Sequence, residues 1–329
     1  MYRKRIVIDD ADVVVHSDDY YAPVLYWRCT AFHLEPNNDF VAHDQRTSSK
    51  SAAFVRGVQK NVGIETIIDL NSVEADIVHD DEWIAFKRLR CSADSLCAQI
   101  SNIFAFVDHQ LSAVKMSRSN VRFVALWLHH MSQYAQLNDV YNALFDTDPP
   151  ARSCVADAKQ VRDGGVEIDV FASFENADTL HVQSVSEWAP ACIGPYSQAT
   201  RVAEACLLAG QIALSPALMT LDDSVDVTGQ FAQAERNCSA VAQLIDSGID
   251  ESNVMTAVRR ALVFFDAAFV SEAEMQQLID TRPWSHCASL YAVTGLPKSA
   301  LVELQWLVVH SGVTFEKLTA NRAFDCFCR

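Results

Sequence analysis

The chain has 329 residues, enough for two domains that each bury a core of their own. Half of its residues are hydrophobic and 21% are charged, a globular composition that excludes a low-complexity or disordered polymer. A net charge of −16 excludes non-specific binding to nucleic acid or to an anionic membrane surface, because both would repel it. No run of about 18 apolar residues occurs, so no membrane-spanning helix is expected.

The first residues, Met1 to Asp10, have a basic start without the apolar stretch of a signal peptide. The ten cysteines are scattered, and several (Cys97, Cys206, Cys238) sit inside apolar runs, as reduced core thiols do. That pattern fits a cytoplasmic compartment. Cys326 and Cys328 form one Cys-x-Cys with no matching pair, which does not make a zinc site.

In chain order, residues 5–15 are β-branched and strand-like, with a turn expected at Asp9-Asp10. The polar stretch from Pro36 to about Gln59 reads as a linker or loop. A strand over Trp83–Leu89 precedes a helix near 94–115, whose stripe is Leu96, Ile100, Ile103, Phe104, Val107, Leu111 and Val114. A strand at 121–129, a helix near 132–145 and strands near 152–158 and 165–173 close a first unit. The order then repeats: strand 205–212, helix 229–247, strand 254–265, helix 271–281, strands near 287–293 and 300–310. The period of roughly 135 residues marks a duplicated domain and not a solenoid. The expected divisions are 1–35, a linker at 36–60, a first domain at 61–178, a second at 179–312 and a tail at 313–329.

Two motifs carry chemistry. One is Pro150-Ala151-Arg152-Ser153-Cys154-Val155, followed by Glu167. The other is Ile193-Gly194-Pro195-Tyr196-Ser197-Gln198-Ala199, followed by Ala209-Gly210-Gln211-Ile212. They resemble the RidA/YjgF (endoribonuclease L-PSP-like) reactive-intermediate deaminases. In that family both stretches belong to one domain with the Gly-Pro-Tyr stretch first. Here the order is reversed, so the matches come from two tandem units. The implied fold is α+β: two tandem RidA/YjgF-like (chorismate-mutase-like) domains, each a mixed β-sheet with two helices on one face.

The resemblance further implies trimer-like packing, with sites in clefts between neighbouring domains, and hydrolysis of 2-imino acids to 2-keto acids and ammonia. The guanidinium would grip a substrate carboxylate with two parallel hydrogen bonds. The glutamate would position the attacking water. The glycine would let backbone approach the ligand, and the tyrosine would wall the pocket. Carried over residue by residue, the first unit supplies Arg152, Cys154 and Glu167, with Lys87 at its glycine position. The second supplies Tyr196, Gly210 and Glu303, with Ala288 at its arginine position. Neither unit holds a full set, and a cleft between them is expected to combine Arg152 with Tyr196, Gly210 and Glu303. Cys154 has no neighbouring histidine in its motif and reads as a packed thiol. No basic groove for cleaving RNA is visible. His129-His130 reads as a structural strand end, and no metal is expected.

The N-terminal stretch carries a second resemblance, through Lys4–Asp9, Val13–Ser17, Ala22–Tyr26 and His33–Glu35. It is similar to the end of the ATP-using domain of the diphthine–ammonia ligases, which in many eukaryotic members precedes two RidA-like units. Those enzymes amidate diphthine on the translocation elongation factor. Their Ser-Gly-Gly-Lys-Asp-type phosphate loop is absent here, and Gly164-Gly165 reads as a turn. The expectation is therefore the C-terminal portion of such a ligase, with no cofactor of its own and with ATP and magnesium in a preceding domain. Its expected partners are that domain, the elongation factor, a small carboxylate or imino acid, and further copies of itself. Its expected roles are assembly, ligand binding or ammonia supply. The alternatives are a free-standing 2-imino acid deaminase and a structural oligomerisation module with Arg152 paired internally.

Overall fold

The computed structural model describes residues 66–145, 148–222 and 224–309, together with the short strands 5–9, 12–16 and 54–57. β1 (Arg5–Asp9) and β2 (Asp12–His16) form a hairpin with Asp9 opposite Asp12. β3 (Phe54–Gly57) pairs with β4 (Thr66–Asp69). The rest of the ligase-like stretch, most of the 36–60 linker, Cys326, Cys328 and the 313–329 tail lie outside the described residues.

The first unit runs β5 (Val73–His79), β6 (Trp83–Cys91), α1 (Leu96–Ala113), β7 (Val121–Leu128), α2 (Tyr134–Leu144), β8 (Ala151–Ala156) and β9 (Val166–Ser173). Its sheet order is β5-β6-β9-β7-β8, with only β7 and β8 parallel. Next come β10 (Ala177–His181), β11 (Ala199–Val202), β12 (Ala205–Leu208), β13 (Gln211–Ile212), α3 (Val227–Ile245), the helical turn α4 (Val254–Ala257), β14 (Val258–Asp266), α5 (Glu272–Asp280), β15 (Ala288–Val293) and β16 (Val302–Val309). Their sheet runs β15-β14-β16-β12-β11-β10, with β14 and β15 parallel and β13 on β16. The crossovers β7-α2-β8 and β14-α5-β15 are the same supersecondary unit used twice. β10 spans the expected boundary at 178, and it pairs with β11 and belongs to the second sheet.

Local sequence explains the elements. Ser95 caps α1 by accepting from Ala98 N at 3.2 Å, and Asp226 caps α3 by accepting from Gly229 N at 2.9 Å. Ser271 and Glu274 form a capping box at α5. The α1 stripe is buried from Leu96 through Leu111. Two expected strands are interrupted. The 254–265 strand begins with a helical turn, because Asp250, Ser252 and Asn253 bond their own backbone first. The 205–212 strand splits at Gly210, whose N–H leaves the ladder and donates to Arg152 O at 3.2 Å.

Strand alternation then builds four layers. Ile168, Val170 and Ala172 of β9 face α1 and α2, while Leu304, Trp306 and Val308 of β16 face α3. The opposite faces meet each other. Trp83, Phe123, Trp127 and Phe171 pack on Leu207, Leu262, Phe264 and Leu307 in one buried cluster between the sheets. Trp127 meets Phe264 edge-on at 5.7 Å.

Candidate functional site

β8 lies at the edge of its sheet and is completed by the second unit. Ser197 N donates to Pro150 O at 3.3 Å, and Thr294 N to Ala156 O at 2.8 Å. The Arg152 carbonyl takes the Gly210 amide. These bonds hold one side of a narrow cleft with a cavity volume of about 20 Å³. Arg152, Cys154 and Tyr134 of the first unit line it, opposite Tyr196, Gly210, Pro297 and Glu303 of the second.

Arg152 is 2% exposed and lies over three tyrosine rings, Tyr141 at 4.7 Å, Tyr196 at 4.9 Å and Tyr134 at 5.7 Å. Its Nη2 donates to Asn138 Oδ1 at 2.8 Å and to the Tyr134 hydroxyl at 3.3 Å. Nη1 is buried with no hydrogen-bond partner. No acidic side chain forms an ion pair with Arg152 among the described residues. A buried, unpaired guanidinium nitrogen is costly unless something else fills the place.

Glu303 is 2% exposed, and burial pushes its carboxyl up to about 8 although the Arg152 charge acts the other way. It is therefore an acid that carries its proton at neutral pH. Gly210 makes this position possible: a Cβ there would stand 1.7 Å from Glu303 Oε1. Burial also pushes the Cys154 thiol up to about 12, which disfavours the thiolate.

Glu167 does not line this cleft. Sheet register explains why: Glu167 faces Trp127 as Glu303 faces Phe264, so the two glutamates hold equivalent places in two different units. Trp127 faces Val155, and Phe264 faces Tyr291. Counting back three residues puts Arg152 and Ala288 in equivalent positions, in agreement with the sequence alignment. The glycine position differs. Leu89 faces Ile168 as Gln211 faces Leu304, so the residue before each is equivalent, and the counterpart of Gly210 is Arg88 and not Lys87; both units carry the same one-residue irregularity at this point. Arg88 has a φ of 53° and donates its amide to Asp169 at 2.6 Å. Glu167 forms an ion pair with Arg90 of the neighbouring strand.

Three residues around Arg152 were not singled out from sequence: Tyr134, Asn138 and Tyr141. Their spacing of four and three places them on one face of α2, the available signal. His129 Nδ1 bonds Val161 O at 2.7 Å, and His130 accepts from Ser132 N at 3.2 Å, both structural roles. The described residues contain no metal-ligand cluster and no helix long and apolar enough to cross a membrane. The seven described cysteines are free thiols. Gly164, with φ 67°, forms the expected turn.

Two similar α+β units with a small cleft between them define the class, and the comparison with known families agrees. The chain belongs to the endoribonuclease L-PSP family, whose profile matches residues 87–174 and 186–310. It is 43% identical over 240 residues to a diphthine–ammonia ligase of Schizosaccharomyces pombe, covering 67% of this chain and 39% of the ligase. A second such ligase, of Saccharomyces cerevisiae, is 25% identical over 68% of this chain and 35% of its own length. The 2-iminobutanoate/2-iminopropanoate deaminase of Capra hircus is 28% identical over 40% of this chain and 90% of the deaminase. Among solved structures, the YjgF gene product of E. coli is 23% identical, covers 38% of this chain and 95% of its own, and has a TM-score of 0.31.

Proposed function

We propose that this chain is the tandem RidA-like module of a diphthine–ammonia ligase, and that its inter-unit cleft binds a small carboxylate or imino acid. The observation that carries the ligand site is Arg152 Nη1, buried without a partner in a side chain that lines the cleft. The extent of the match to the Schizosaccharomyces pombe ligase supports the assignment to that enzyme. In this reading, amidation, ATP and magnesium belong to the part of the ligase outside the alignment. The module assembles the cytoplasmic enzyme with further copies of itself, holds a ligand, or supplies ammonia near the elongation factor.

Calorimetry with 2-oxobutanoate tests the cleft: wild type should bind and Arg152→Ala should not, and equal heats would sink it. Comparing diphthine amidation by such a ligase with and without the module tests the wider role. Equal rates and equal assembly would refute it.

A second reading, a free-standing imine deaminase, is favoured by the deaminase match and by Glu303 in the cleft. Amino-acid oxidase supplying 2-imino acids separates the two. Only the second reading expects keto-acid formation faster than spontaneous hydrolysis.

A further inference from the structure

A guanidinium offers a carboxylate two bidentate forks. The side-on fork uses Nε and Nη2, and the end-on fork uses Nη1 and Nη2. Both need Nη2. In Arg152 the two Nη2 protons are already committed, one to Asn138 Oδ1 and one to the Tyr134 hydroxyl. The cluster is also roofed. A Cβ on Gly194 would stand 2.7 Å from Arg152 Nη2 and 3.1 Å from both Asn138 Oδ1 and the Tyr134 hydroxyl. The bare backbone of the Gly-Pro-Tyr segment thus lies close to this cluster. What is left outside these bonds is Nη1, buried and unpartnered in a side chain that lines the cleft.

Resting on the reading of this cleft as a ligand site, we propose that Asn138 and Tyr134 are specificity-determining positioning residues. They convert Arg152 from a two-point clamp into a single-nitrogen donor. The cleft then selects ligands by one acceptor oxygen, and it discriminates poorly between a carboxylate and the carboxamide of the same shape. This departs from the two parallel hydrogen bonds that the arginine motif led us to expect. A charged hydrogen bond to each carboxylate oxygen is what normally separates an acid from its amide, by about tenfold or more for the second bond. Tyr134→Phe and Asn138→Ala each free one Nη2 proton and restore one fork.

The test is the ratio of affinities for 2-oxobutanoate and 2-oxobutanamide, measured by calorimetry on the full chain. Melting temperatures serve to verify folding of the variants. The expected wild-type ratio is below about tenfold, rising by about tenfold in Tyr134→Phe through tighter binding of the acid. A packing role alone would weaken both ligands and leave the ratio where it was. The proposal is overturned by a wild-type ratio above about a hundredfold, or by a ratio in Tyr134→Phe that is unchanged or lower. If wild type binds the acid and Arg152→Ala does not, while the ratio fails to move, the ligand site stands and only the one-point grip falls. Binding of neither compound by any of the proteins overturns both.

Discussion

Glu167 and Glu303 hold the same place in two copies of one fold, and their surroundings differ in two respects. Glu167 finds a cation within its own sheet, Arg90, which leaves its carboxylate paired. Among the described residues Glu303 forms no ion pair within its own unit, and the charge that acts on it comes from Arg152 of the other unit. Beside the first glutamate the glycine position has become Arg88, while beside the second it is still Gly210. Duplication thus left one glutamate in an internal ion pair and the other in an open cleft. Charge compensation inside a unit consumes a site; compensation across units keeps one.

The largest expected effect is on what joins the two copies. Trp127→Ala should cost about 3–5 kcal/mol of stability in chemical denaturation, because the indole fills the space between the sheets against Phe264. A loss well below that range would show that the sheets can collapse onto the gap.

Next comes Arg152→Ala, expected to weaken 2-oxobutanoate about 10- to 100-fold by calorimetry. The matched change Arg90→Ala should leave that affinity untouched, since Arg90 serves Glu167 alone. An equal loss in both would erase the distinction between the two copies. Gly210→Ala should act through Glu303. Its methyl would take the space of Oε1, displace the carboxyl and weaken binding about tenfold while the chain stays folded.

The pH dependence separates the glutamates further. Glu303 has its carboxyl raised to about 8, so folding takes up a proton between its ordinary value and 8. The stability it contributes is complete below the ordinary carboxyl range and lost as pH rises toward 8. Binding of an anion should weaken over the same upper limb, where Glu303 becomes charged. Glu303→Gln should flatten both curves, in thermal melts and in calorimetry; persistence of the pH dependence would assign it to another group. The smallest effect is expected for Glu167→Gln, about 1 kcal/mol, because Arg90 is half exposed and is rehydrated when its partner goes.

Much of the fold was legible beforehand. The α1 stripe, the β-branched strands and the repeated order of elements are local patterns, and local patterns survive duplication. The misplaced features were those that depend on a neighbour. The glycine position falls on Arg88 and not Lys87, one residue away, because strand register and not motif spacing fixes which residues are equivalent, and the strand expected from Val254 begins only after a helical turn. Tyr134, Asn138 and Tyr141 were visible only as part of a matching helix, since nothing local says that one face of α2 covers an arginine from β8.

The sequence by itself determined that two related units exist, which motif each keeps, and that the arginine and the glycine lie in different units. Those are properties of residue order and of side-chain type. Only the tertiary structure decided that Glu167 is answered by Arg90, that Arg88 stands at the first unit's glycine position, and that Asn138 and Tyr134 occupy Nη2. Each of these depends on which donor reaches which acceptor first, and that competition is settled by packing between elements far apart in the chain.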